Sequence, residues 1–280
     1  MAIFHFSVKV ISRGRGQSAI AAAAYRSGER LVDQVDGRPK IYRARKQRIL
    51  FTGIFAPKDA PAWARDRNAL WNAAEQAERR KDSTLGREIE ISLPHELTDQ
   101  QRQWLVTDFV RETFMRRGLV ADVAIHAPEP GGNARNFHAH ILITERTISA
   151  AGFAAKKDRA FYAKGVLRDW RTKWADMANR ALARYGHDAR IDHRSLAAQG
   201  IDRLPTRPRG QAETRRQRKR FRIAKERVSA AEAASLRSKS PEPLGGAVEA
   251  ICGVSTPLPA NLAPCSPRPR AAPCYAALRP

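Results

Sequence analysis

Cysteine is nearly absent from this sequence. Three occur among 280 residues, Cys252, Cys265 and Cys274, all in the final stretch and at no spacing that suits a disulfide framework or a metal knuckle. Disulfide stapling, thiolate metal sites and cysteine catalysis are thereby excluded from everything before residue 252. Long apolar runs are missing too: none approaches the ~20 residues needed to cross a bilayer, and the N-terminus lacks a secretory pattern. The expectation is a soluble, cytoplasmic protein with no membrane insertion. Acidic residues are the third scarcity, 28 against 51 Lys and Arg, for a net charge of +23 and a pI near 11.0. An excess of that size points to a polyanionic partner, nucleic acid first. Internal repeats are also missing.

Charge density divides the chain. Residues 1–205 hold 36 basic and 23 acidic side chains, whereas residues 206–280 hold 15 and 5. Together with the Pro- and Gly-containing run at 205–210, this shift predicts a folded domain over 1–205. A basic helical extension over 206–237 and a Pro/Ala-rich disordered tail over 238–280 follow it.

Periodicity within the first part alternates strand-like and helix-like segments without a βαβ rhythm. Strands are expected over Ala2–Val10, Gln47–Phe55 and Arg87–Leu93, with short extended pieces around Val32 and Ile41 flanking an Asp36-Gly37 turn. Helices are expected from an N-cap at Ser18 to a stop at Gly28, over Pro61–Lys81, from Thr98 to Arg117, and over most of Asp158–Tyr185. A last short element is expected over Ala189–Leu196. Hairpins and interspersed helices predict an α+β fold, an antiparallel β-sheet with flanking helices.

The chemistry concentrates in Phe137-His138-Ala139-His140-Ile141-Leu142-Ile143-Thr144, an apolar, β-branched run that reads as a buried strand. Side chains two apart on a strand share a face, so His138 and His140 point together. Leu119 to His126 alternates likewise and joins the histidine strand through a Pro-, Gly- and Asn-rich loop, the pattern of a long-looped hairpin. Antiparallel pairing sets His126 opposite His138 or His140, so three imidazoles converge. Two polar histidines on a wet sheet face would give the same spacing; the third favours a metal ion. Three imidazoles suit Mn²⁺, Zn²⁺ or Ni²⁺ better than Mg²⁺, which prefers oxygen.

Tyr25 stands out in the alanine-rich helix, where small neighbours let another surface approach its ring. Arg13, Arg15 and Arg26 lie close in sequence. A tyrosine near a helix end is ordinarily a packing residue. Beside a three-histidine metal site and heavy positive charge, its phenol becomes a candidate to attack phosphorus as phenolate. Glu88 and Glu90 share one face of the Arg87–Leu93 strand, and Asp122 shares the face of His126. Glu88 or Asp122 is thus placed to accept the second N–H of a ligand imidazole, with a solvated or ion-paired carboxylate the alternative for either. His5 and His193 stay outside the metal site. Tyr42, Trp63 and Tyr162 are candidate stacking partners for unpaired bases.

Four segments in order carry a resemblance: Ser12-Arg13-Gly14-Arg15-Gly16-Gln17-Ser18 continuing to Tyr25-Arg26-Ser27-Gly28, Gly86 to Pro94, His126 with His138-Ala139-His140, and Asp192-His193-Arg194-Ser195-Leu196. Over residues 1–205 the chain resembles the MobA/MobL conjugative relaxases (MobQ type) of the HUH endonuclease superfamily. The resemblance implies that Tyr25 attacks a phosphate of single-stranded DNA at a transfer origin, leaving a 5′-phosphotyrosyl link and a free 3′-hydroxyl, and that the step reverses. It implies a divalent ion, Mn²⁺ or Mg²⁺, on His126, His138 and His140, and it favours Glu88 as the orienting carboxylate. Arg13, Arg15, Arg26 and Arg194 are the expected phosphate contacts, and relaxosome accessory proteins and a type IV coupling and secretion apparatus are the expected partners. One departure stands out: Arg207-Pro208-Arg209-Gly210 replaces a His-Leu-Gly segment common among relatives. A rolling-circle replication initiator shares the histidine motif but usually places its tyrosine after the histidines. A non-catalytic DNA-binding or accessory protein, and a metallohydrolase without a covalent intermediate, are the other readings.

Overall fold

The structure, a computed structural model, describes residues 4–42, 48–130 and 132–203; beyond them Arg216, Arg220, Ile223, Glu226 and Ser229 are individually helical. The chain divides into two compact units, Met1–Pro205 and Thr206–Pro280. Most of the expected basic extension, and all of the expected tail over 238–280, lie outside the described residues.

In chain order the elements of the first unit are β1 (Phe6–Ser12), α1 (Ala19–Ser27), β2 (Leu31–Val32), β3 (Pro39–Lys40), β4 (Ile49–Phe55), α2 (Arg67–Ala77), β5 (Thr84–Ser92), α3 (Asp99–Thr113), β6 (Ala121–His126), β7 (His138–Thr144), β8 (Ile148–Ser149), β9 (Gly152–Phe153) and α4 (Val166–Arg184). Five of the strands form one antiparallel sheet in the order β1-β5-β7-β6-β4. The α+β expectation is met.

Alternation along the strands gives the sheet two unlike faces. On one, Phe6, Ile89, Ile91, Val123, Ile125, Ala139 and Ile141 pack beneath α3 and α4, which contribute Leu105, Phe109, Val110, Trp170, Trp174 and Leu182. Edge-to-face contacts tie this core together, Phe109 to Trp174 at 5.3 Å and Phe114 to Trp170 at 5.2 Å between ring centroids. The other face carries Ile11, Val120 and Leu142 under α1 and α2, which supply Ile20, Ala23, Leu70 and Trp71. Gly86 belongs to this second face: a β-carbon there would meet the Ile143 carbonyl at 3.1 Å and the Trp71 ring at 3.3 Å, so glycine lets the indole lie against the sheet.

Three expected elements are reshaped by local chemistry. The helix expected over Pro61–Lys81 is divided, because Asp66 takes an extended conformation and caps α2 by accepting from the Ala69 N–H at 2.7 Å, leaving Ala62–Arg65 as a separate 3-10 turn. The Asp158–Tyr185 segment breaks at Gly165, whose φ of 100° is left-handed, and α4 starts after it. Ala189–Leu196 contains no helix or strand. Its Ile191 backbone is held instead by the Asn179 amide of α4, which both donates (2.9 Å) and accepts (2.8 Å).

One charged pair is sealed between α2 and the sheet. Arg67 grips Asp122 through Nε (2.8 Å to Oδ2) and Nη2 (2.8 Å to Oδ1), and Trp71 Nε1 donates to Oδ2 at 2.9 Å. The two side chains are 7% and 5% exposed. Such a pair adds little relative to an apolar replacement of both, yet breaking it strands a buried charge. Arg67→Met should therefore lower unfolding free energy by ~3–5 kcal/mol in urea titration; a loss under ~1 kcal/mol would show that Asp122 finds other compensation.

Candidate active site

Hairpin register builds the centre. β6 and β7 pair with His126 opposite His138 and Ala124 opposite His140. All three histidines consequently project from the face that α1 and α2 cover. Their ring centroids lie 5.0–5.4 Å apart, and one nitrogen of each lies within 4.8 Å of the others. Among the described residues this is the one cluster of three or more His, Cys, Asp or Glu side chains that meets such a distance.

Hydrogen bonds decide which nitrogens are free. His140 Nδ1 donates to Glu88 Oε1 at 2.7 Å, and His138 Nδ1 to the Asn136 carbonyl at 3.0 Å. His126 Nε2 donates to the Arg26 carbonyl at 2.8 Å. Every acceptor is an oxygen, so each bonded nitrogen carries the proton and the other keeps a lone pair. Burial drives the His126 pKa down to about 4, and its two neighbouring histidines and Arg26 reinforce the shift against the hydrogen bond to the Arg26 carbonyl. Burial likewise lowers His140, against the pull of Glu88. Oriented imidazoles whose ring nitrogens gather this closely are what a divalent cation requires, and the donor set fits one. His126 and His140 are buried whereas His138 is half-exposed, so the cluster opens on the His138 side.

Three carboxylates share this face, and only Glu88 hydrogen-bonds a histidine. Burial raises its pKa, but hydrogen bonds from His140 and Arg26 prevail and hold it at about 2. Asp122, the rival candidate, is occupied by Arg67 and Trp71. Glu90, opposite His140 in register, pairs with Lys9 at 2.8 Å.

The nucleophile candidate arrives on α1. Ser18 caps that helix by accepting from the Ala21 N–H at 3.2 Å, and Glu75 of α2 accepts from Ser18 Oγ (2.8 Å) and the Ala19 N–H (2.7 Å). Gly28, at φ 67°, ends the helix just beyond Tyr25 and Arg26. Buried Ala23 and Ala24 let the helix approach the sheet closely enough for the Arg26 carbonyl to reach His126. The half-buried Tyr25 ring meets Tyr42 edge-on at 5.2 Å, and the Arg26 guanidinium lies 4.7 Å from its centroid.

The four arginines expected on phosphate are placed differently from one another. Arg15 is exposed on a 3-10 turn. Arg194 is exposed but clasped by Asp192, with Nη2 to Oδ2 at 2.7 Å and Nε to Oδ2 at 2.9 Å, and this pairing holds the Asp192 carboxyl at about 2. Arg13 is engaged within the fold. Its guanidinium donates to the carbonyls of Glu75 (2.9 Å), Glu78 (2.7 Å) and Arg80 (2.9 Å), closing the end of α2. Arg26 is engaged too, with its Nε bound to Glu88. Tyr42 packs on Tyr25, whereas Trp63 packs on Phe153 and Tyr162 bonds Glu145 under Arg87. His193 bonds Thr172, outside the cluster.

Residues 17–219 match the profile of the MobA/MobL family. The chain belongs to the MobA/MobL family. It is 38% identical over 273 residues to mobilization protein MobL of Acidithiobacillus ferridurans, covering 83% of this chain and 71% of that protein. To mobilization protein A of Escherichia coli it is 36% identical over 224 residues, spanning 73% of this chain and 29% of that one. A solved structure, from work on the molecular basis of vancomycin resistance transfer in Staphylococcus aureus, superposes with a TM-score of 0.63 at 30% identity and covers 69% of this chain and 100% of its own. The MobA/MobL resemblance read from four motifs is thus shown, and the fold is shared with that solved structure.

In this MobA/MobL chain the contact that local patterns left unread is Arg26 to Glu88, which joins α1 to the carboxylate on His140. Glu88 reaches His140 diagonally across the β5–β7 pairing, and the arginine reaches Glu88 through helix docking. Because Glu88 orients His140, Glu88→Gln should weaken divalent-metal affinity ~10–100-fold, measured by Mn²⁺ titration with electron paramagnetic resonance. An unchanged affinity would detach Glu88 from the metal site.

Proposed function

We propose that this protein is a plasmid mobilisation relaxase, a metal-dependent DNA strand transferase that nicks one strand at an origin of transfer and rejoins it. The observation that carries the reading is the docking of the last turn of α1 on the histidine cluster: the carbonyl immediately after Tyr25 is bonded to His126. A phenol delivered on that turn, cations around it and a metal-competent trio together form the equipment for phosphoryl transfer. Support comes also from relatives whose names describe mobilisation and conjugal transfer.

His126, His138 and His140 would hold the ion, Mn²⁺ or Mg²⁺ in use, and the ion would supply a Lewis acid for the scissile phosphate. Tyr25 loses its proton and its oxygen forms a bond to phosphorus; the bond to the 3′-oxygen breaks, and that oxygen takes up a proton. The energy of the phosphodiester is kept in the phosphotyrosyl link, so the same steps run backwards reseal the strand. The DNA must be single-stranded here, because a duplex phosphate cannot reach a tyrosine and metal set against a sheet. Arg15 is the arginine best placed to contact its backbone. Relaxosome accessory proteins and a type IV coupling and secretion apparatus are the partners such a reaction serves, in the cytoplasm.

The test incubates the full chain with Mn²⁺ and 3′-labelled single-stranded oligonucleotides that tile its transfer origin. A denaturant-resistant protein–DNA adduct is expected, lost on chelation. Tyr25→Phe should lower its formation by at least ~10³-fold while retaining oligonucleotide binding. Cleavage without an adduct would indicate direct hydrolysis by water, and binding without cleavage would indicate an accessory protein; either outcome overturns the proposal.

A further inference from the structure

We infer that Arg26 is a positioning residue that locks the nucleophile's helix to the metal-binding histidines, and not a DNA phosphate contact. The inference rests on the relaxase reading above and specifies how that site is assembled. Arg26 acts through both halves of its structure. Its carbonyl lies in the last turn of α1, where helix geometry leaves carbonyls without an intrahelical partner. The Gly28 N–H goes back to the Ala24 carbonyl, and the Arg26 carbonyl is taken by His126 Nε2 at 2.8 Å. The negative end of the helix thereby fixes the His126 proton on Nε2 and leaves the ring's lone pair on Nδ1.

The side chain performs the second task. Arg26 Nε donates to Glu88 Oε1, the same oxygen that accepts from His140 Nδ1 at 2.7 Å. The guanidinium stands 4.7 Å from the centroid of the Tyr25 ring, within cation–π range. One residue therefore touches the nucleophile, fixes the tautomer of one histidine and anchors the carboxylate that orients another. Its side chain is 19% exposed and Glu88 only 6%, so a phosphate would have to compete with a buried partner for the same cation.

The two roles part company in solution. A lost phosphate contact weakens binding at every salt concentration and lowers the slope of log Kd against log salt by about one. A lost positioning contact leaves Kd and slope intact and slows the chemical step. Arg26→Lys and Arg26→Gln in the full chain should bind the origin oligonucleotide, in chelator, within twofold of the native protein and with the same salt slope. Adduct formation at saturating DNA and Mn²⁺ should fall at least ~30-fold in both. Lysine should restore no more than ~threefold over glutamine, because it lacks the planar fork that meets a carboxylate and a ring together.

A double-mutant cycle locates the action. If Arg26 works through Glu88, adding Arg26→Gln to Glu88→Gln should cost less than ~threefold further. A reduced salt slope with weakened Kd, an unchanged rate, or losses that multiply independently would each overturn the inference. Arg26→Lys keeps a cation beside Glu88 and carries the test alone should the glutamine variant fail to fold. The relaxase reading fails separately, if the native chain gives no adduct or if Tyr25→Phe still gives one.

Discussion

Everything at the centre depends on the register between β6 and β7. Strand side chains alternate, so a slip of one residue in either strand would turn its histidines into the opposite core. That core prevents the slip. Ile125, Ala139 and Ile141 are fully enclosed beneath α3 and α4, with exposures of 1%, 0% and 0%. Exchanging them for imidazoles would bury polar rings among Phe109 and Trp174 and expose isoleucines to the site. The apolar face thus holds the polar one in place, and the long loop between the strands carries little of the burden. The same logic extends to β5, where Glu88 pairs with Leu142 and Glu90 with His140. Glu88 reaches His140 diagonally, and the residue directly across from that histidine turns to Lys9 instead.

The helix that brings Tyr25 is held at both ends by long-range contacts. At its start, Ser18 and Glu75 satisfy the free N–H groups; at its end, His126 takes a carbonyl. Glu75 itself sits on α2, whose own end is closed by Arg13 from the glycine-containing turn just before α1. α2 therefore caps the start of α1, and the turn leading into α1 closes the end of α2. Alanines 21–24 suit this arrangement because a bulkier residue at the buried positions would lift α1 from β6 and part the carbonyl from the imidazole. An alanine run that looks featureless in one dimension is the spacing element of the site.

Much of this was legible before any coordinates. The Ser18 cap, the Gly28 stop, the histidine hairpin and the shared face of His126, His138 and His140 all follow from local patterns, and all are observed. Glu88 was separable from Asp122 only by resemblance; the structure separates them physically, since Asp122 is consumed by Arg67 and Trp71. What local reading missed has a common cause. Arg13, Arg26 and Arg194 look alike in sequence as free cations near a catalytic motif, yet each answers to residues placed by tertiary folding or by a neighbouring turn. Asp66 dividing a predicted helix is a subtler case, because its capping signal was present but was outweighed by the apolar periodicity on either side. Ala189–Leu196, expected as a short element, is held by the Asn179 side chain rather than by backbone pairing.

The sheet face under α1 and α2 carries two buried acids on neighbouring parts of its surface, each met by an arginine from the helix above it. Their surroundings differ in a way that separates scaffold from site. Asp122 accepts from Arg67 and Trp71, all three enclosed, and nothing in that group is left over for a ligand. Glu88 accepts instead from Arg26 and from a histidine that belongs to the three-histidine cluster. Both pairs bear the cost of burying charge. In the first, that cost secures the position of α2. In the second it secures the orientation of an imidazole in the histidine cluster and the docking of α1, and the arginine remains partly exposed. A carboxylate–arginine pair that ends on a histidine with an unused lone pair is therefore the feature by which chemistry can be told from architecture on this surface.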